Sequence, residues 1–350
     1  MKVLVTGGLG YIGSHTVTTL IENGYEVVIV DNLSNSKIEV LDSIYAITGV
    51  RPAFYQFDVR DEQKLDELFE KETPEAIIHF AGFKAVGESC QEPLMYYENN
   101  LGSTFSILKM MKKYKVCNKI VFSSSATVYG VPDSVPLTES SPIKEATNPY
   151  GQTKIMIEKI LTDFAKVEGT NVALLRYFNP IGAHTTGLLG EDPNGLPNNI
   201  FPYLNKVAVG ALPILNVFGD DYETVDGTGV RDYIHVMDLA EGHVLALKKL
   251  EQDCGVFVCN LGTGKGTSVL ELVAAYEQAN DIKINYQIAP RRAGDIAENY
   301  AGTEKAKNEL GFECKYSIKD ACGDGYRFQI YSLFVQRIKS KNREKEVVQE

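Results

Sequence analysis

The sequence predicts an α/β protein, a doubly wound parallel sheet followed by a smaller α/β unit, and three observations carry that expectation. Short β-branched runs alternate with helical patterns through the first half of the chain. The first of those runs leads into a glycine-rich turn, Gly7-Gly8-Leu9-Gly10-Tyr11-Ile12-Gly13, and then a helix. After Asn179 the texture changes to irregular Gly- and Pro-rich sequence and shorter elements.

Residues 3–6 read as a strand, 12–23 as a helix and 26–30 as a second strand ending at Asp31. Further strands are expected at 53–57, 76–80, 119–123 and 172–176, with helical patterns at 62–71, 94–114 and 150–167. Alternation at these lengths makes βαβ units, and hence a parallel sheet with helices on both faces. Residues 185–197 suit a loop that faces a ligand. Helices are expected again near 238–250, 268–279 and 318–333. The chain therefore divides into residues 1–180 and 181–336, with part of the second segment returning to the first unit. Residues 337–350 form a charged tail, read as a solvated or frayed terminus.

The 350 residues, 44% apolar, are ample for one large or two moderate cores. A net charge of −11 argues against nucleic acid as a partner, because phosphate backbones recruit clustered Lys and Arg. It leaves room for an anionic small molecule held by a few local arginines. The apolar run after Met1-Lys2 is too short for a signal-peptide core, and none reaches the roughly 18 residues of a membrane span. No membrane association and a cytoplasmic location are the expectation. Six cysteines without a Cys-x-x-Cys pair, and five scattered histidines, suggest reduced thiols and no catalytic metal.

The turn has the spacing Gly7-x-x-Gly10-x-x-Gly13, one residue longer than the usual G-x-G-x-x-G. Such glycines permit a tight turn, close approach of a pyrophosphate to backbone N–H groups, and close packing of helix on strand. Between a first strand and a first helix they mark a Rossmann-type dinucleotide site. Asp31, closing the second strand, can bond both hydroxyls of an adenosine ribose and would repel a 2′-phosphate, so NAD is favoured over NADP. Asp58 ends the third strand where an adenine ring would lie; it could equally cap its own loop.

Tyr150 and Lys154 share a face if their segment is helical. A nearby ammonium favours the phenolate, lowering a pKa of about 10 toward that of a useful base. Chance alone produces such a spacing, so its company decides the matter. Ser125 stands at a strand end, where the active sites of open α/β sheets collect.

These segments, with Asp31-Asn32-Leu33 and residues 6–15, 79–89, 123–130, 148–154, 176–180, 227–238 and 291–295, resemble the extended short-chain dehydrogenase/reductase family. Within it the likeness is to the epimerases that interconvert UDP-glucose and UDP-galactose, and it runs from residue 3 to about 312. The resemblance implies a reversible reaction on tightly held NAD. Tyr150 would remove the proton of the sugar 4-hydroxyl while C4 passes its hydride to the nicotinamide. Lys154 would lower the Tyr150 pKa and bond the nicotinamide ribose; Ser125 would bond the same sugar oxygen. The 4-keto sugar then turns over and takes the hydride back on its other face.

By the same carry-over, Tyr11, Ile12, Asn32, Asn35, Ser36, Val59, Lys84 and Asn99 look like cofactor contacts. Phe80-Ala81-Gly82 would pass under the cofactor and Phe178 would flank the nicotinamide, although both aromatics also suit ordinary core packing. Tyr177, Asn179, Asn199, Asn216-Val217-Phe218 and Asp295 match substrate contacts, with Phe218 near the uracil. Arg231 and Arg292 suit a diphosphate, which guanidinium binds bidentately. Either could instead serve a surface ion pair with Asp232 or Asp295.

Asn299 falls where the family gates its sugar pocket. A tyrosine there excludes N-acetylhexosamines and a smaller residue admits them, so acceptance of UDP-GlcNAc and UDP-GalNAc is expected. The likeness fades after Phe312, where the family's aromatic final helix is replaced by Gly-containing and charged sequence. A 4,6-dehydratase on the same fold needs an Asp-Glu pair just after the strand-end Ser/Thr, and here those positions are Ala126 and Thr127. A non-catalytic NAD sensor typically loses the Tyr or Lys, and both are kept. Relatives are often homodimers joined by four helices, and the patterns at 94–114 and 150–167 could supply that interface or pack on the sheet.

Overall fold

The computed structural model describes residues 1–292 and 294–347, with side chains through residue 335. The first half alternates as β1 (Lys2–Thr6), α1 (Tyr11–Glu22), β2 (Glu26–Asp31), α2 (Val40–Thr48), β3 (Ala53–Gln56), α3 (Glu62–Glu72) and β4 (Ala76–His79). It continues with α4 (Val86–Gln91), α5 (Pro93–Lys113), β5 (Lys119–Ser125), α6 (Pro149–Glu168) and β6 (Asn171–Tyr177). The second half holds β7 (Asn179–Ile181), α7 (Ile200–Ala208), β8 (Leu215–Phe218), β9 (Val230–Arg231), β10 (Tyr233–His235), α8 (Val236–Leu250) and β11 (Val256–Leu261). β12 (Thr267–Ser268), α9 (Val269–Asn280), β13 (Tyr286–Ala289), β14 (Glu298–Asn299) and α10 (Ile318–Val347) complete it.

Seven strands form one sheet in the order β11-β6-β5-β4-β1-β2-β3, every pairing parallel. Both sheet faces are covered, so the strands are apolar on both sides. Val3, Val5 and Ile29 pack toward α1 and α8, whereas Leu4, Val28 and Ile77 face α3, α5 and α6. From β1 the chain winds outward through β2 and β3, then returns to β4 on the other side of β1. That reversal opens a crevice beyond the carboxyl ends of β1 and β4, the usual ligand position of such a sheet.

The second half carries its own core of Phe201, Leu204, Leu215, Val217, Leu272, Tyr276, Ala321 and Cys322. Its sheets are small: β7 with β10, β8 with β13, and β9 between β12 and β14. These elements, like α2 and α7, were not among the sequence expectations, because two- to four-residue strands carry no periodicity. β11 was missed for a different reason. Its residues Val256–Leu261 are buried or nearly so throughout, without the alternation that marks a one-sided strand. It leaves the second half and pairs with β6, which is how the chain returns to the first unit. The last helix differs too: α10 does not end near 333 but continues to Val347 through the Lys-, Arg- and Glu-rich run. Those are strong helix formers, and their propensity supports the extension. Residues 348–350 of the expected tail lie outside the described residues.

Candidate active site

A cavity of ≈ 860 Å³ fills the crevice, within the size range of small-molecule sites. Gly7, Gly10, Tyr11, Ile12, Gly13, Asp31, Asn32, Asn35, Ser36, Asp58, Val59, Phe80, Ala81, Gly82, Lys84 and Asn99 line it. Tyr150, Lys154, Tyr177 and Asn199 line it as well. The expected cofactor contacts are thus brought together around one cavity, apart from Ser125 and Phe178. Phe178 is buried among Ala126, Val128, Tyr129 and Leu137 and takes the core role. Phe80 does both: it lines the cavity and packs against His243 at 4.8 Å.

The turn after β1 is built for close approach. Gly7 has φ +68°, and a Cβ on it would sit 2.9 Å from the Ala81 nitrogen. A Cβ on Gly13 would lie 2.2 Å from the Gly7 carbonyl oxygen, so the first turn of α1 can pack this closely on the loop only with a glycine at 13. α1 has no side-chain cap and no acidic residue in its first turn. Its first N–H groups and the positive end of its dipole are therefore free for an anion. Asp31 Oδ2 accepts from Leu9 N–H at 3.0 Å, and Oδ1 from Leu33 N–H at 2.9 Å and Ser36 Oγ at 2.8 Å. That places a fixed carboxylate beside the turn. Asp58 accepts from the Arg60 side chain and main chain and from Asn32 Nδ2, and the Arg60 guanidinium pulls its carboxyl down to about 2. It caps its loop and lines the cavity at once.

The segment expected as an irregular, ligand-facing loop also lines the cavity, through residues 188–194. Glu191, buried, accepts from Lys84 Nζ at 2.9 Å; Asp192 pairs with Lys37. Asn194 donates to Asn35 Oδ1 at 3.2 Å and Ser34 O at 3.1 Å. Phe328, which also lines the cavity, packs where a Cβ on Gly190 would be. The segment is a strap tied to Lys84, Lys37, Ser34 and Asn35, and Glu191 was legible only as one more acidic residue.

Tyr150 and Lys154 stand on the first turns of α6, whose N-cap Asn148 accepts from Gly151 N–H at 2.9 Å, with Pro149 at the first position. Lys154 is 7% exposed; its Nζ donates to Ser123 O at 2.6 Å and lies 5.6 Å from the centre of the Tyr150 ring. Burial pushes the Lys154 ammonium down to about 7, with the Glu158 carboxylate opposing. Burial likewise pushes the Tyr150 phenol up to about 12, against a hydrogen bond with Ser125, although the ring keeps partial exposure. The direction is opposite to the lowering expected from Lys154, and its cause is desolvation of the phenolate. Ser125 ends β5 and caps a single 3₁₀ turn, Ala126–Tyr129, its Oγ accepting from Thr127 N–H at 3.2 Å. No carboxylate occupies positions 126 and 127. The Tyr177 hydroxyl meets that of Ser123, joining the same cluster.

The remaining expected substrate contacts lie outside this cavity, in the second unit. Asn179 N–H donates to Asp232 O at 3.0 Å, and Asn299 pairs in register with Arg231. Arg292 lies over the Phe218 ring at 4.8 Å and binds Asp295 at 3.0 Å. Burial pushes the Tyr233 phenol up to about 12, and both Arg231 and Arg292 pull it back, so the two guanidiniums share one neighbourhood. The two arginines divide the alternatives. Arg292 makes the ion pair with Asp295, whereas Asp232 is taken up by Thr263, Gly264 and Ala301, leaving Arg231 to donate to the Val230 and Ala297 carbonyls. The Val217 side chain is buried in the core, so any contact from it is through its main chain. Asn216 accepts from Gln287 at 2.8 Å. Asn299 Oδ1 and Thr127 Oγ1 are buried with no hydrogen-bond partner among the described residues, which fits a polar ligand at each.

The family model for GDP-mannose 4,6 dehydratase matches residues 4–324. The UDP-glucose 4-epimerase of Bacillus subtilis is 56% identical over 330 residues, covering 94% of this chain and 97% of that protein. The UDP-glucose 4-epimerase of Dictyostelium discoideum is 52% identical over 332 residues, covering 94% and 95%. Among solved structures, the UDP-glucose 4-epimerase of Bifidobacterium longum in complex with NAD⁺ and UDP matches with a TM-score of 0.92 and 51% identity, over 95% of this chain and 98% of that one.

Proposed function

The chain belongs to the UDP-glucose 4-epimerases, and from that membership we propose how its residues divide the work. The protein is an NAD-dependent isomerase that interconverts UDP-glucose and UDP-galactose. NAD, when bound, supplies the acceptor that takes the C4 hydride and returns it.

The glycine turn and the N-terminus of α1 would hold the pyrophosphate, Asp31 the adenosine ribose, Asp58 the adenine edge, and Lys84 and Asn99 the nicotinamide end. Tyr150 is the proposed base toward the sugar 4-hydroxyl. Ser125 bonds the same oxygen, and Lys154 stabilises the phenolate as it forms. Arg231 and Arg292 would grip the diphosphate, with Phe218 and Asp295 toward the nucleoside and Tyr177, Asn179 and Asn199 toward the sugar and phosphates. Holding the nucleotide firmly and the hexose loosely lets the keto sugar turn over. Asn299 leaves more room than a tyrosine, so UDP-GlcNAc and UDP-GalNAc are proposed as further substrates. A homodimer through the outer faces of α5 and α6 is proposed from their exposed Leu94, Phe105 and Met156. Among the described residues no helix is long and apolar enough to cross a membrane; a cytoplasmic location is proposed.

The convergence of Ser125, Tyr150 and Lys154, with no carboxylate at 126 or 127, carries this reading over dehydration. The test is conversion of UDP-galactose to UDP-glucose by the purified protein without added cofactor, with NAD assayed after denaturation. No conversion by protein that holds NAD would reject it.

A further inference from the structure

Tyr150 and Lys154 have a third partner on the same face of α6. Glu158 is 4% exposed, and both of its carboxylate oxygens are engaged. Oε1 accepts from Arg176 Nε at 2.9 Å and Ser124 Oγ at 2.5 Å; Oε2 accepts from Arg176 Nη2 at 2.6 Å. Arg176, equally buried, donates to the Tyr129 hydroxyl at 3.2 Å and stacks on that ring. Tyr129 in turn donates to Asn260 Oδ1 at 2.6 Å. One ion pair thus ties α6 to β5, β6, β11 and the turn that follows Ser125.

A buried ion pair is a poor device for stability, because desolvation consumes most of its attraction and an apolar pair of similar size serves as well. Its geometry fits another purpose. The residues it joins are the immediate neighbours of the site: Ser124 between Ser123 and Ser125, Arg176 before Tyr177, and Glu158 one turn beyond Lys154. We propose that Glu158, clamped by Arg176 and Ser124, is a positioning residue of the active site. It holds the Tyr150–Lys154 face of α6 against the ends of β5 and β6 and supplies the counter-charge behind the Lys154 ammonium.

The surroundings of Lys154 leave that task to Glu158. From β5 it meets the Ser123 carbonyl and the Phe122 ring, at 4.7 Å, and from its own helix the Tyr150 ring. From β4 it meets His79, whose imidazole burial holds down to about 3 and therefore neutral. From β6, Tyr177 joins through Ser123, and Arg176 lies behind Glu158. Glu158 is the negative charge that acts on Lys154 against burial.

The inference rests on Tyr150 and Lys154 handling the proton, so Tyr150→Phe is measured beside it; full activity in that variant would reject the proton assignment itself. With that assignment standing, Glu158→Gln is expected to retain NAD and the KM for UDP-galactose while kcat falls ~10-fold at neutral pH. Loss of the negative charge makes Lys154 give up its proton more readily. The alkaline limb of the kcat profile therefore moves down by about one pH unit. Because Gln opposite Arg176 leaves a buried guanidinium unpaired, the double variant Glu158→Gln with Arg176→Gln is made in parallel and should show the same downward move. A lower Tm with an alkaline limb unmoved from the parent's, in whichever variant folds, makes the pair a brace and overturns the proposal.

Discussion

Lys154 donates its ammonium to the main-chain carbonyl of Ser123 at 2.6 Å, and the centre of the Tyr150 ring is 5.6 Å from the same nitrogen. The cation is therefore pinned by the sheet and acts on the phenol through space. Lys154→Met should lower turnover by ~10²–10⁴-fold, in the range of a lost acid–base contribution. In the parent, Lys154 loses its charge as pH rises through about 7. The rate should then fall on the alkaline side, and that limb should be missing in Lys154→Met. A pH series of kcat for both proteins checks it.

Tyr150→Phe removes the proposed base and keeps the ring. Turnover should drop by several orders of magnitude while bound NAD, measured after denaturation, stays near one per chain. Loss of the cofactor together with activity would instead give Tyr150 a binding role.

Asn299 sits in register with Arg231 and has a buried oxygen without a partner among the described residues. Asn299→Tyr should abolish conversion of UDP-GalNAc and leave UDP-galactose within a few-fold of the parent. Equal exclusion of the acetylated substrate by parent and variant would end the proposal that Asn299 opens the pocket.

Three buried imidazoles make the fold acid-sensitive. Burial holds His15 and His79 down to about 3 and His243 to about 4. Below the unfolded value of 6.5 the unfolded chain takes up protons that the folded one refuses, so stability is complete above that pH and declines as pH falls. Each group contributes a slope of ~1.4 kcal/mol per pH unit once the unfolded form is protonated, about 4 for the three. Tm recorded from pH 7.5 to 5 should drop steeply below 6.5; a flat Tm would contradict neutral burial.

The strap ties Glu191 to Lys84, Asp192 to Lys37 and Asn194 to Ser34 and Asn35. The double variant Lys37→Ala with Asn194→Ala unfastens its outer end without touching Tyr150 or Lys154. Bound NAD should exchange with labelled NAD ~10-fold faster or more, as one to two kcal/mol of ties would imply, with kcat at saturating NAD little changed. Unaltered exchange would leave the strap no part in retention.

Legibility followed the range of each signal. The glycine turn, Asp31 and the Asn148–Lys154 segment are local patterns, and the residues they name meet in one cavity. Ser125 needed only its place at a strand end. Glu191 and Glu158 were invisible because each takes its meaning from a partner far along the chain, Lys84 and Arg176. The direction of the Tyr150 shift failed for a related reason: spacing reveals a neighbouring charge but not how much water surrounds it.

β11 reaches the main sheet from the second half and completes it beside β6. Every residue of β6, Asn171–Tyr177, is buried in consequence. A fragment ending near 180 would present that whole strand, with a row of unpaired N–H and C=O groups and an apolar flank stripped of α8, as a template for intermolecular pairing. The seven-stranded sheet is therefore not complete within the first half of the chain. It is finished only after the ribosome has passed Leu261, and nascent chains short of that point present an aggregation-prone edge.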